Sequence, residues 1–141
     1  MAVGNVCIII IDGNAHMRRL LGTVLGALPG ATVVEARSPC AARPMMVAHE
    51  PHLVVMDWSG DHTDGVLFVH HLRRGEIGRC DVPVLALSRT MHHAVLEQAL
   101  DVGIDEVIAK PISAMEVIDR AATLIEIDRR RSERAAANAA E

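Results

Sequence analysis

Short apolar runs alternate along this chain with longer stretches in which apolar residues recur at helical spacing, and the alternation repeats five times. Val6 to Ile11 is unbroken and rich in β-branched residues, as a central parallel strand buried on both faces should be, and it runs into Asp12. After the turn Asp12-Gly13-Asn14, the residues Met17, Leu20, Leu21, Val24, Leu25 and Leu28 predict a helix that stops at Pro29-Gly30. A weaker strand at Ala31 to Ala36 precedes a helix starting near Ser38-Pro39, with serine as cap and proline in the first turn. Pro44 falls inside that helix and is expected to shorten or kink it.

The third strand, Leu53 to Met56, leads into Asp57; the loop from Trp58 to Gly65 then gives a helix carrying Val66, Val69 and Leu72. Val82 to Leu87 predicts a fourth strand ending at Ser88, followed by a helix from about Met91 to Val102 before Gly103. Glu106 to Ala109 is a brief fifth strand ending at Lys110-Pro111. Ser113 can then cap a helix bearing Met115, Val117, Ile118, Ala121, Ala122, Leu124 and Ile125, with a continuation through the arginines left open. Five βα units of this kind predict an α/β doubly wound parallel sheet with helices on both faces.

Composition narrows the choice. The 141 residues fit one domain with a sizeable core, and with Trp58 and Phe68 as the aromatic residues that core must be aliphatic. A net charge of −4 gives no overall footprint for gripping nucleic acid or an anionic membrane. Cys7, Cys40 and Cys80 are odd in number and show no CxxC spacing, which suggests neither a zinc site nor a disulfide framework and favours a reducing, cytoplasmic setting. No leader is expected at the N-terminus, and no run reaches the roughly 18 to 20 apolar residues of a membrane span.

Candidate chemistry lies at the strand ends. In an open parallel sheet, ligands bind beyond the carboxyl ends of the strands, and Asp12, Asp57, Ser88 and Lys110 each follow a strand. Two carboxylates, a hydroxyl and an ammonium on one rim suit phosphoryl transfer, in which positioning and charge neutralisation carry most of the catalysis. One carboxylate would be the nucleophile and the other would help hold a hard cation, while the hydroxyl and the ammonium would contact phosphoryl oxygens.

These residues carry a family resemblance. Asp12 with Arg18 and Leu21 downstream, Met56-Asp57-Trp58 with Asp64-Gly65 beyond, Val82-Pro83-Val84 leading to Ser88, and Lys110-Pro111 together resemble the receiver domain of bacterial response regulators, similar to its stand-alone CheY-like type, over roughly residues 5 to 126. The resemblance implies strand order 2-1-3-4-5, Asp57 as phosphoacceptor, Ser88 as switch hydroxyl and Lys110 as phosphate partner. It implies a Mg²⁺ pocket built from Asp12, Asp57 and the backbone carbonyl of Ser59. The implied protein is a signalling switch rather than an enzyme, at most phosphorylating itself slowly from small donors and dephosphorylating itself. Its donor would be a histidine kinase or phosphotransfer protein, and its output would pass to a downstream protein through the fourth and fifth helices. A homodimer stays open; a DNA-binding domain and a membrane partner are not expected. The receiver is assigned to residues 1–127, and residues 128–141 to an arginine- and alanine-rich helical extension or tail.

Three positions depart from the family pattern. The second acid usual after the first strand is Gly13, which weakens or removes the Mg²⁺ site. The usual Met-Pro after the phosphoacceptor is Gly60-Asp61, and the aromatic usual on the fifth strand is Val107, which rules out the usual rotating-ring switch. Arg89, directly after Ser88, is within reach of an acid or a partner. These departures keep a second reading open: a degenerate receiver that binds partners, or cyclic di-GMP through Arg129 to Arg134, without phosphorylation. A flavin carrier on the same architecture is a third. The pairs His70-His71 and His92-His93 are read as surface or partly packed histidines, because neighbours on a helix point to different faces. His62 is a candidate for modulating pH response.

Overall fold

The computed structural model describes residues 5–58 and 63–140. Five strands, β1 (Val6–Ile11), β2 (Ala31–Ala36), β3 (Leu53–Asp57), β4 (Val84–Ser88) and β5 (Glu106–Ala109), form one parallel sheet in the order 2-1-3-4-5. Five helices connect and extend them: α1 (Ala15–Gly26), α2 (Pro39–His49), α3 (Thr63–Arg73), α4 (His93–Val102) and α5 (Ala114–Ala139). The expected architecture and strand order are the ones observed.

Strand side chains alternate between two faces, so each central strand feeds two cores. Ile8, Ile10, Val55, Leu85 and Leu87 pack against Leu21 and Leu25 of α1 and Val117, Ala121 and Leu124 of α5. Ile9, Ile11, Val54, Met56 and Ala86 face the other way, onto Met46 of α2, Phe68, Val69 and Leu72 of α3, and Ala99 of α4. Burial on both faces is why β1 and β3 read as continuous apolar runs in the sequence.

Several boundaries differ from the sequence reading. The β4 ladder begins at Val84 because Pro83 has no N–H to contribute; the Val84 amide donates instead to Asp105 Oδ2 at 2.7 Å. Helix α4 starts at His93, and Met91 stands in the preceding loop, half exposed. Pro44 neither ends nor shortens α2: its missing amide would have served the carbonyl of Cys40, and both residues lie on the exposed side, where water can take that carbonyl. On α5, Val117, Ala121, Leu124 and Asp128 face inward, while Met115 is 73% exposed and Ala122 is also outside. The helix is continuous through residue 127 and onward to Ala139.

The far end of the sheet is closed by a clasp from α5. Arg79, in the loop after α3, places its Nη2 2.8 Å from both carboxylate oxygens of the buried Asp128, with a well-aligned hydrogen bond to Oδ2 only, so Oδ1 lacks an aligned donor. Hydrogen bonding and charge from Asp128 hold the Arg79 guanidinium above its ordinary pKa, against the opposing effect of partial burial. Arg79 also reaches Ser132, and Arg131 donates to the Asp81 carbonyl. Beside this clasp, Arg73 donates to the carbonyls of Gly103, Cys80 and Val82 and to the carboxylate of Asp105.

Candidate functional site

The chain passes from β1 to β2 on one side and returns to β3 on the other, so the crevice between β1 and β3 is where connections diverge. Registered pairing of Ile11 with Met56 brings the following residues, Asp12 and Asp57, to that crevice. Pairing of Asp57 with Leu87 and of Ser88 with Ala109 then carries the same rim across to Ser88 and Lys110. Backbone hydrogen bonds fix these ends: Asp12 N to the Ala36 carbonyl at 3.1 Å, Trp58 N to Leu87 at 2.8 Å, and Lys110 N to Ser88 at 2.8 Å.

The four expected side chains converge. The Lys110 ammonium lies 2.6 Å from Asp57 Oδ1 and 3.5 Å from Asp12 Oδ2, and its side chain is 9% exposed. Asp12 is 4% exposed, whereas the Asp57 side chain is 34% exposed, so of the two carboxylates Asp57 is the one open to an incoming group. Ser88 is fully buried; its hydroxyl donates to the Thr90 carbonyl at 2.8 Å and accepts from the Thr90 amide at 3.2 Å. All four line one cavity of about 410 Å³ with Trp58 and Arg89.

Around Asp12 the structure adds positioning groups that the pattern did not single out. Asp12 Oδ1 accepts from the Asn14 amide at 2.8 Å, and Asn14 in turn caps α1 by accepting from the Met17 amide at 3.0 Å. The Arg18 guanidinium donates to the Asp12 carbonyl at 2.7 Å and pairs with Glu35 at 3.5 Å. The sequence offers Arg18 as a register mark; the structure adds that it bonds the Asp12 carbonyl while pairing with Glu35 on β2.

Gly13 is exposed, and a Cβ built on it would meet only the Arg37 carbonyl at 3.7 Å, an ordinary contact. Glycine is therefore not required there by crowding, and the missing acid is a difference of chemistry. A neighbouring cavity of about 250 Å³ shares Asp12, Gly13 and Asp57 and adds Arg37 and Asp64. The carbonyl of Ser59, with Gly60, Asp61 and His62, lies outside the described residues. Among the described residues, no three His, Cys, Asp or Glu side chains form a group able to hold a metal ion.

The remaining candidates are placed elsewhere. His71 Nδ1 lies 2.6 Å from an Arg43 guanidinium nitrogen and His93 pairs with Glu97, so the two histidine pairs make local contacts. Arg129 and Arg130 bond Glu126, and Arg129 also pairs with Glu133; these contacts raise the Arg129 pKa and lower that of Glu126. Among the described residues, no helix is long and apolar enough to cross a membrane.

Comparison with known proteins agrees with this geometry. The family model of the response regulator receiver domain matches residues 8–122. The chain is 30% identical over 113 residues to the phosphate regulon transcriptional regulatory protein PhoB of Pseudomonas aeruginosa, covering 80% of this chain and 48% of that protein. It is 30% identical over 122 residues to a protein-glutamate methylesterase/protein-glutamine glutaminase of Anaeromyxobacter dehalogenans, covering 84% and 33%. The chain thus spans about half the length, or less, of these curated relatives. Among solved structures, the receiver domain of a putative response regulator NarL from Mycobacterium tuberculosis superposes with a TM-score of 0.77 at 22% identity, covering 88% of this chain and 98% of that one. The chemotaxis protein CheY4 of Vibrio cholerae does so with a TM-score of 0.75 at 16% identity, covering 85% and 98%. Fold, rim chemistry and family match coincide over the same residues, and the chain belongs to the response regulator receiver domain family of two-component signalling.

Proposed function

We propose that Asp57 accepts a phosphoryl group from a histidine kinase or a phosphotransfer protein, and that the modified chain signals in the cytoplasm by changing its affinity for a protein partner. The observation that carries this reading is the pairing of Lys110 with the more exposed carboxylate of the rim at 2.6 Å, beside a buried hydroxyl and a second acid. An Asp57 oxygen attacks phosphorus in line with the departing nitrogen. The P–N bond breaks as the new P–O bond forms, and the electron pair leaves with the donor imidazole. In this reading Lys110 takes negative charge on a phosphoryl oxygen, and the Ser88 hydroxyl turns from Thr90 to contact another.

Receiver domains generally use Mg²⁺, which supplies charge neutralisation at the phosphoryl oxygens when bound. In this chain Asp12 and Asp57 are already contacted by Lys110, position 13 carries no acid, and among the described residues no three ligating side chains group together. That set does not fit a tightly held divalent cation, which needs several oxygens arranged octahedrally. We assign it weak binding at most.

Output is proposed to pass through the fourth and fifth helices, where Leu100 and Met115 are exposed apolar residues. The second reading, through cyclic di-GMP, would draw on Arg129 to Arg134, of which Arg129 and Arg130 bond Glu126 and Arg131 bonds the Asp81 carbonyl. The direct test is intact-mass measurement after incubation with a small phosphodonor: one phosphoryl adduct on the native chain and none on Asp57→Asn. An adduct that persists in Asp57→Asn would remove the assignment.

A further inference from the structure

Resting on that assignment of Asp57, we infer that Arg89 supplies the second positive charge to the transferring phosphoryl group, so that transfer to Asp57 from a small donor proceeds without a divalent cation. Three observations lead there.

The first is charge balance. A rim with two acids after β1 plus the phosphoacceptor carries three negative charges, and one lysine leaves an excess that a dication would offset. Gly13 removes one of those acids. Among the described residues, Asp12 and Asp57 then share one cavity with Lys110 and Arg89, two charges of each sign. In the adjoining cavity, Arg37 and Asp64 offset each other and leave that balance unchanged.

The second is availability. Lys110 is held between Asp57 and Asp12, whereas the exposed Arg89 makes no ion pair or side-chain hydrogen bond among the described residues. Its guanidinium is free to turn toward a group arriving on Asp57, and its planar fork can hold two phosphoryl oxygens at once.

The third is placement. Arg89 directly follows Ser88 at the end of β4, which pairs with β3 through Asp57 and Leu87, so its root is fixed by the sheet on the Asp57 side of the rim. The guanidinium is thereby tethered beside the cavity that Asp57 also lines, within reach of charge developing there.

With phosphoramidate as donor, the P–N bond breaks while the P–O bond to Asp57 forms. Nitrogen keeps the bonding pair and departs as ammonia, which solvent protonates. No oxidant, reductant or further reactant is needed.

The test is adduct formation by intact mass with phosphoramidate, in excess EDTA and in Mg²⁺, on the native chain and on Arg89→Ala, Arg89→Lys, Gly13→Asp and Asp57→Asn. The expected result is a native rate in EDTA within a few-fold of that in Mg²⁺. Arg89→Ala should fall about ten- to hundredfold in EDTA, with partial recovery in Arg89→Lys. Gly13→Asp should become dependent on Mg²⁺ and less sensitive to the loss of Arg89. Thermal melts confirm that each variant is folded, and Arg89→Gln replaces Arg89→Ala if the latter is not. An adduct that requires Mg²⁺ on the native chain, or an Arg89→Ala rate in EDTA equal to native, overturns the inference and leaves Asp57 as phosphoacceptor. No native adduct under either condition overturns the assignment of Asp57 itself.

Discussion

Arg79 and Asp128 form an ion pair that is half wet and half dry: the arginine side chain is 39% exposed, the aspartate side chain 2%. This asymmetry makes the two truncations unequal. Arg79→Ala leaves a buried carboxylate without its cation and is expected to cost about 2 kcal/mol, below the usual range for a broken buried pair because Arg79 is partly solvated. Asp128→Ala frees a guanidinium that water can reach and should cost less. Urea denaturation of both single variants and the double checks the order, and the double should be less destabilised than the sum of the singles.

Lys110 is the cation that touches both acids of the rim. Lys110→Ala leaves buried Asp12 beside Asp57 with no ammonium between them, and a loss of about 1 to 3 kcal/mol is expected. Adding Asp57→Asn should restore part of that loss, because one of the two repelling charges is then gone. Urea midpoints at neutral pH read this directly. A double variant no more stable than Lys110→Ala would show that repulsion between the acids is not the cause.

Burial pushes the Cys7 thiol above its ordinary pKa of 9.0, while Cys40 and Cys80 are exposed. The unfolded chain therefore loses the Cys7 proton before the folded one does. The corresponding stability is fully present below pH 9.0 and declines as pH rises through the higher folded value. Cys7→Ala should flatten this alkaline decline. Under native conditions iodoacetamide should add two groups rapidly and the third slowly, a sequence that mass measurement resolves.

Two glycines should respond in opposite directions. Gly65 lies in α3, and a Cβ there would meet Trp58 and Met56 at 3.5 to 3.8 Å, all ordinary contacts. Gly65→Ala is therefore expected to stabilise by up to about 0.5 to 1 kcal/mol through the lower entropy of the unfolded chain. Gly103 ends α4 at φ 120°, and a Cβ would come within 2.8 Å of the Arg73 side chain. Gly103→Ala should destabilise by more than about 1 kcal/mol, combining backbone strain with displacement of the arginine that holds the Gly103, Cys80 and Val82 carbonyls. Thermal melts of the pair test both signs.

The sheet and the four rim residues were legible in the sequence because both follow from local pattern. A parallel strand buried on two faces is a contiguous apolar run, and the polar residue that ends such a run must emerge at the rim. Arg73, Arg79 and Asp128 were not legible. Arg79 and Asp128 are partners 49 residues apart, and Arg73 gathers carbonyls 7, 9 and 30 residues away, so no local pattern distinguishes a clasping arginine from a solvated one. Asp128 in particular reads as part of a charged tail, yet on the helix it falls four residues after Leu124 and so turns inward. The sequence pattern starts β4 at Val82 because Val82 and Pro83 continue the apolar run, although Pro83 contributes no donor to the ladder.

The hydroxyl of Ser88 has a single proton, and in this structure the Thr90 carbonyl holds it. Donating that proton to a phosphoryl oxygen means withdrawing it from Thr90. The gain is then an exchange of one acceptor for another, with a net preference small enough for a partner bound nearby to tip. Thr90 leads within three residues into α4, so a carbonyl released there would lie in the segment that joins β4 to that helix. If Asp57 carries a phosphoryl group as proposed, its occupancy and the conformation of residues 88 to 92 are coupled through where one hydrogen atom sits.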